Sequence, residues 1–377
     1  MAPNFYGSEI TTMALAARSV IETEEWVVAD SICLNVTYMS RQIRHATQLG
    51  SKSVFLSHHI DFLNLPCPGD AVAVNTAVWI DVRHGSYPNG WRIPCHWMDV
   101  MMPLMRAALQ GALAGATDVF MWQVPRGKFV ATGFHAGILR VLTAAAALRT
   151  PPRLHFSEDV ATHKAMVMHR FIGARVASSA NAKYASHFVG CARGLSDPRA
   201  SLHYRSLTLR SFSLHDKVSS RTQILYVLRG RVSWLNSTAL RSMAGDYHAD
   251  ANSVEFERRP YREQVALVSS SNILVAAHGS SLVHIPLLSP PCAVMELFAC
   301  NHTSLIYRNL AVNTGCYYRA VYEDIGCSLT PVMHTDDTRR YMHLRHKIPD
   351  VVARASLARA VRYVYWRKVA NLQLDGR

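Results

Sequence analysis

The chain has no uninterrupted run of about 18 apolar residues, so nothing in it reads as a membrane-spanning helix. Its eight cysteines include no CxxC pair, which argues against zinc ribbons and thioredoxin-type redox sites. The even count is compatible with disulfides without showing them. HExxH, GxGxxG and GxxxxGK[ST] are all missing, and with them the zincin, dinucleotide and P-loop signatures. There is no low-complexity tract and no internal repeat. The opening stretch, MAPNFYGSEITTMALAARSV, has no basic segment followed by an apolar core, so it does not read as a signal peptide. Acidic residues are scarce: 26 Asp and Glu stand against 40 Lys and Arg, for a net charge of +14.

What is there fits a globular protein. A chain of 377 residues with 49% hydrophobic content can bury two medium cores. The positive charge is uneven. Residues 339–377 hold ten Lys and Arg against two Asp, a net +8. Such a tail favours anionic partners, or it is the solvated face of a basic helix. Asn35, Asn236 and Asn301 each open an Asn-X-Thr glycosylation sequence, at a frequency near chance.

Local patterning alternates strands with helices. KSVFLS, AVAVNTAVWIDV and TDVFMWQV read as strands, and HWMDVMMPLMRAALQGALAGA as a helix apolar on several faces. RTPPRLHF, with two prolines, reads as a loop or turn, and Met166–Ile172 as extended. After a polar stretch the pattern becomes cleaner. Strands are expected at Ile224–Leu228, SVEF, Ile273–Ala277 and Ala293–Leu297. Helices are expected at STALRSMAG and RPYREQVALVSSS. This alternation predicts βαβ units and a parallel sheet. We place the domain boundary near residue 214, giving 1–213, 214–342 and a basic helix within 343–377. In that helix Leu357, Val361, Val364 and Tyr365 fall at helical spacing, and packing back on the body is the expected use.

The segment ILVAAHGSSLVHIPLL carries the strongest chemistry. A wholly apolar strand ends in His278-Gly279-Ser280-Ser281. Ligands of open α/β sheets bind beyond the carboxyl ends of strands. Glycine permits close approach to the backbone, and free N–H groups at a helix start attract anions. Serine hydroxyls and a histidine add donors. The chemistry suggests a phosphate or diphosphate site; a plain glycine turn with a serine cap fits the same residues. Other polar residues fall at element ends of the same domain: Arg229 and Arg231, Asn236, Glu263 and Gln264, and Glu296. Arginine suits a diphosphate, and a carboxylate at a neighbouring strand end suits ribose hydroxyls. No GxSxG elbow and no metal-holding DxD accompanies them.

The order of ILYVLRGRVSWLN, REQVALVSSSNILVAAHGSSL and AVMELF resembles glycosyltransferase family 61 over about residues 205–325. ELFACNHTSLIYRNLAVNTGCYY continues the resemblance. Upstream, CHWMDVMMPLM is similar to the family's H-W-x-x-D-x-x-P-x-L segment, with Asp99 one position early. VMHRFIGARVAS is similar to a later family strand, with His169 where cysteine is usual. Ser280 stands for the family's alanine, Ser281 for its variable Gly or Gln, and His284 for its frequent asparagine. Arg231 lies one or two places early.

The resemblance implies an α/β protein of GT-B type, with two Rossmann-like domains, parallel sheets and a facing cleft. It implies inverting, metal-independent transfer from a nucleotide sugar to a glycan or glycoprotein acceptor. Arg229, Arg231 and His278–Ser281 would hold the diphosphate, and Glu296 the ribose. Asn236, Glu263 and Gln264 would organise the pocket, and His96 or Asp99 would be the base. The donor is a UDP-sugar, with N-acetylglucosamine or xylose foremost, and no further cofactor is implied. Family members work in the Golgi or ER lumen, attached to the membrane through a leader not visible here. Two alternatives stand beside this. One is a catalytically inactive, glycosyltransferase-like binding protein. The other is a basic nucleic-acid-binding protein, whose aromatic and basic residues would come from the tail; no nucleic acid is expected under the main reading.

Overall fold

The computed structural model describes residues 19–22, 26–35, 71–81, 94–122, 124–148, 150–156, 158–159, 165–174, 198–216, 219–228, 235–257, 259–298, 304–322 and 348–375. Two compact units divide the chain. One comprises Met1–Ala131 and Ile138–Ser186, the other Thr132–Gly137 and His187–Arg377. The expected boundary near residue 214 falls inside the second unit. KSVFLS lies outside the described residues. Among the described residues no helix is long and apolar enough to cross a membrane.

The first unit is built on β1 (Ser19–Glu22), β2 (Trp26–Asn35), β3 (Val72–Asp81), α1 (Pro94–Leu109), β4 (Asp118–Trp122), α2 (Phe134–Ala145) from Ile138 onward, β5 (Arg153–Phe156) and β6 (Ala165–Ala174). Its six strands run in the order β1-β2-β6-β3-β4-β5. The β6-β3-β4-β5 portion is parallel, but β2 is antiparallel to both its neighbours. The sheet is therefore mixed rather than wholly parallel. β1 and β2 are too close in sequence for a crossover, and so short a link forces an antiparallel hairpin. Consecutive residues Ala77 to Ile80 and Val119 to Met121 are all buried, as central strands covered on both faces require.

α1 is buried nearly all round, through Trp97, Met98, Met101, Met102, Leu104 and Met105. It stops earlier than its apolar run because Gly111 follows with φ of 79°. RTPPRLHF is not all loop. The prolines precede β5, whose start is tied to that of β4. The buried Asp118 accepts hydrogen bonds from Thr117 Oγ1 at 2.6 Å and His155 Nε2 at 2.7 Å, and pairs with Arg153. Burial works against its ionisation, but these hydrogen bonds outweigh it and hold the carboxyl below the usual range.

The second unit contains α3 (Pro198–Ser211), β7 (Thr222–Leu228), α4 (Ser237–Gly245), β8 (Ala249–Glu255), α5 (Tyr261–Ser269), β9 (Ile273–Ala277), a 3-10 helix (Ser280–Leu287), β10 (Ala293–Phe298), α6 (Ile306–Asn313), β11 (Tyr317–Tyr322) and α7 (Asp350–Asp375). Its five strands are all parallel, in the order β11-β10-β9-β7-β8. This is the doubly wound arrangement, in which strand order reverses once. Ile273, Val275, Ala293, Met295, Leu297 and Val321 turn to one face and pack with Leu240, Leu357, Val361 and Val364. Alternate residues turn to the other face, against α6 and the 3-10 helix. On α7 the expected stripe holds for Leu357, Val361 and Val364 but not for Tyr365, which is exposed. Residue 365 lies about 100° round the helix from 364. Tyr363 takes the inward place instead, stacking on Tyr317 at 5.2 Å.

Candidate functional site

The reversal of strand order in the second unit falls between β7 and β9. β8 lies to one side of this pair, and β10 and β11 lie to the other. Open α/β sheets bind ligands at such a switch point, outside the carboxyl ends of the strands. β9 ends at Ala277, and His278-Gly279-Ser280-Ser281 follows at once. Gly279 has φ of 156° and ψ of −174°, a combination that glycine alone adopts readily. The element that follows is a 3-10 helix rather than an α-helix. Ser280 is exposed and Ser281 half-buried. β7 ends at Leu228, so Arg229 and Arg231 come next in the chain, outside the described residues.

His278 is nearly buried and meets Glu296 across the sheet, Nδ1 to Oε1 at 2.5 Å. The other oxygen of Glu296 accepts from the Tyr318 hydroxyl at 2.6 Å. The register explains the meeting. Glu296 pairs with Ala276 on β9 and with Ala320 on β11. Both flanking residues are small, and side chains two positions apart share a face. His278 reaches Glu296 diagonally from ahead, and Tyr318 diagonally from behind. The imidazole stacks on Phe298 and meets the Tyr307 ring edge-on, each at 5.4 Å. Burial, and then the neighbouring carboxylate, push the Tyr318 phenol far above its ordinary range, so it remains a donor.

Glu296, expected beside the ribose, instead has its side chain inside the sheet. The side chain is fully buried and both oxygens are engaged within the sheet, so it offers no free carboxylate to a ribose. Three other expected pocket residues serve local structure. The Asn236 side chain caps α4, accepting from the backbone N–H groups of Thr238 and Ala239. Glu263 is exposed and pairs with Arg259 one helical turn away, at 3.2 Å. Gln264 is buried, and its Nε2 donates to the carbonyls of Phe256 and Arg259, fastening the loop before α5. His96 and Asp99 lie on α1, and their side chains are outside the described residues.

Two residues that support the site went unread in the sequence. One is Tyr318. The other is Arg205 on α3, a buried guanidinium that donates to Leu287 O at 3.1 Å and to Ser269 O at 2.9 Å while pairing with Asp216. It fastens the end of the 3-10 helix to the end of α5.

The second unit is a doubly wound α/β domain with a polar, anion-suited turn at its switch point. Residues 95–295, more than half of the chain, match the family described as Glycosyltransferase 61, and the chain belongs to that family. Seventy residues are 33% identical to the EGF domain-specific O-linked N-acetylglucosamine transferase of Drosophila melanogaster. That match covers 19% of this chain and 13% of the relative.

Proposed function

We propose that the protein is an inverting glycosyltransferase that moves a sugar from a UDP-sugar to a glycan or protein acceptor. The observation that carries this reading is the His278–Ser281 turn at the β7/β9 switch point. Diphosphate charge would be met by Arg229, Arg231, backbone N–H groups of the turn and His278. In the displacement, the acceptor oxygen bonds to the sugar's anomeric carbon. The bond from that carbon to the diphosphate breaks, and its electron pair leaves on the nucleotide. A base, His96 or Asp99, takes the acceptor proton. Stabilising the departing charge is the larger task, which suits a turn rich in donors.

N-acetylglucosamine is the foremost sugar, since the matched relative is named for its transfer, and xylose is second. A GT-B arrangement of the two units and a secretory-pathway lumen complete the reading. The Cys292–Cys316 disulfide supports an oxidising compartment. Ser280 and Ser281, which depart from the family pattern, favour a second reading: a binding protein that does not turn its donor over.

Thermal melting of the full chain with UDP, UDP-N-acetylglucosamine and UDP-xylose tests the site. Ligand at about 100 times its Kd should stabilise the protein by roughly 2.7 kcal/mol. His278→Ala should abolish most of that shift. Shifts without donor hydrolysis or transfer would favour the binding protein. No shift with any nucleotide, and no turnover, would defeat both readings.

A further inference from the structure

The geometry points to Glu296 and Tyr318 as a positioning pair that fixes which nitrogen of His278 carries the proton and which way the ring faces. The trio stands on its own geometry; only what the ring touches rests on the diphosphate reading. Each Glu296 oxygen has its own neighbour, His278 Nδ1 for Oε1 and the Tyr318 hydroxyl for Oε2. An ionised carboxylate only accepts, so Nδ1 must donate and is the protonated nitrogen. Tyr318 keeps Oε2 occupied, which prevents the carboxylate from turning away. The Phe298 and Tyr307 rings hold the imidazole plane. Glu296 is level with Ala276, two residues behind His278 on β9. Nδ1 therefore faces back along the sheet, and on the diphosphate reading Nε2 would serve the donor's diphosphate beyond the carboxyl ends of the strands. When Nε2 also carries a proton, the ring donates to that diphosphate with its countercharge already in place at Glu296.

A role in catalysis through another residue should appear as a loss of kcat with little change in KM. Tyr318→Phe keeps the ring and removes only the hydroxyl. Glu296→Gln keeps the shape but places an amide where one oxygen was. Both should lower kcat by about 10- to 100-fold, in line with partners that orient a functional histidine. KM for the donor should change much less, and Tyr318→Phe should stay folded while melting lower, since it leaves Glu296 Oε2 without its donor. Long-range 15N–1H spectra of histidine-labelled protein read the ring directly, without any donor. Wild type should show His278 protonated at Nδ1, and both variants should move its ring nitrogens. A wild-type ring protonated at Nε2 alone would overturn the inference. So would variants that leave both the ring signals and kcat unchanged. Ring signals that behave as expected in a protein that binds no nucleotide would uphold the positioning pair and defeat the diphosphate reading alone.

Discussion

His284 shows at the scale of one residue how an imidazole can be used for its neutral form. It follows the His278–Ser281 turn by three positions and is fully enclosed. Phe256, Tyr261 and Phe134 surround it at 5.0, 5.7 and 6.1 Å between ring centres. Nδ1 donates to Ser281 O at 2.9 Å, while Nε2 is buried with no partner among the described residues. Burial lowers its pKa from 6.5 to about 4, so protonation would place a charge among aromatic rings. The unfolded chain takes up this proton below about 6.5, whereas the folded chain resists until about 4. The unfolded state thus binds more protons in that window, and stability rises with pH through it. The contribution, about 3 kcal/mol, should be present above pH 6.5 and lost on acidification toward 4. Denaturant unfolding at closely spaced pH values should show that slope in wild type and a shallower one in His284→Leu. Equal slopes would contradict it. The sequence showed His284 only as standing where the family has its frequent asparagine, because nothing in the residue type tells an enclosed neutral ring from an exposed charged one.

Legibility changes at the scale of elements with how cleanly burial follows periodicity. Ile273–Ala277, wholly apolar, and Ala293–Phe298, apolar except for Glu296, are buried on both faces, so they were readable as central parallel strands. β11 was not, because its sequence YYRAVY is aromatic at both parities and half-buried along most of its length. Tyr318 was lost with it, and so were the contacts that Glu296 makes within the sheet. α3 escaped for a different reason. It buries Ser201, Arg205 and Thr208 beside Tyr204 and Leu207, so polar residues occupy positions where a periodic pattern needs apolar ones. The hydrogen bonds of Arg205 and Thr208, visible only in three dimensions, make the burial of those two tolerable.

The disulfide belongs to this scale too. Cys292 and Cys316 immediately precede β10 and β11, whose first residues Ala293 and Tyr317 are register partners. The link closes a loop of 24 residues in sequence separation, for which chain entropy predicts about 3 kcal/mol. It also holds the register that brings Tyr318 to Glu296. The Cys292→Ser, Cys316→Ser double variant should melt several degrees lower and, under the proposed function, lose part of its transfer activity. An unchanged melting temperature would show that the strand pair needs no staple.

For the whole molecule, the excess positive charge and the closing of the second core meet on one helix. α7 contributes Ala353, Leu357, Ala360, Val361 and Val364 to the buried face of the five-stranded sheet. Lys368 Nζ donates to the carbonyls of Ser219 and Arg221 and to Asn272 Oδ1, at 3.2 to 3.3 Å. The opposite side of the helix shows Arg359, Arg362, Tyr365, Trp366 and Arg367 to solvent. Removing residues 350–377 would therefore uncover apolar core together with removing charge, and the truncated chain should be recovered mainly as aggregate. Replacing Arg359, Arg362 and Arg367 with Gln separates the two effects. Those side chains are exposed, so melting should change by less than about 0.5 kcal/mol per site. Retention on an anionic matrix should weaken, and its salt dependence should become less steep. If the protein acts as proposed, transfer from a UDP-sugar should persist in this triple variant, since its charge is remote in sequence from the β7/β9 switch point. If transfer were lost while folding was kept, the basic face of α7 would have to be counted among the parts that handle substrate.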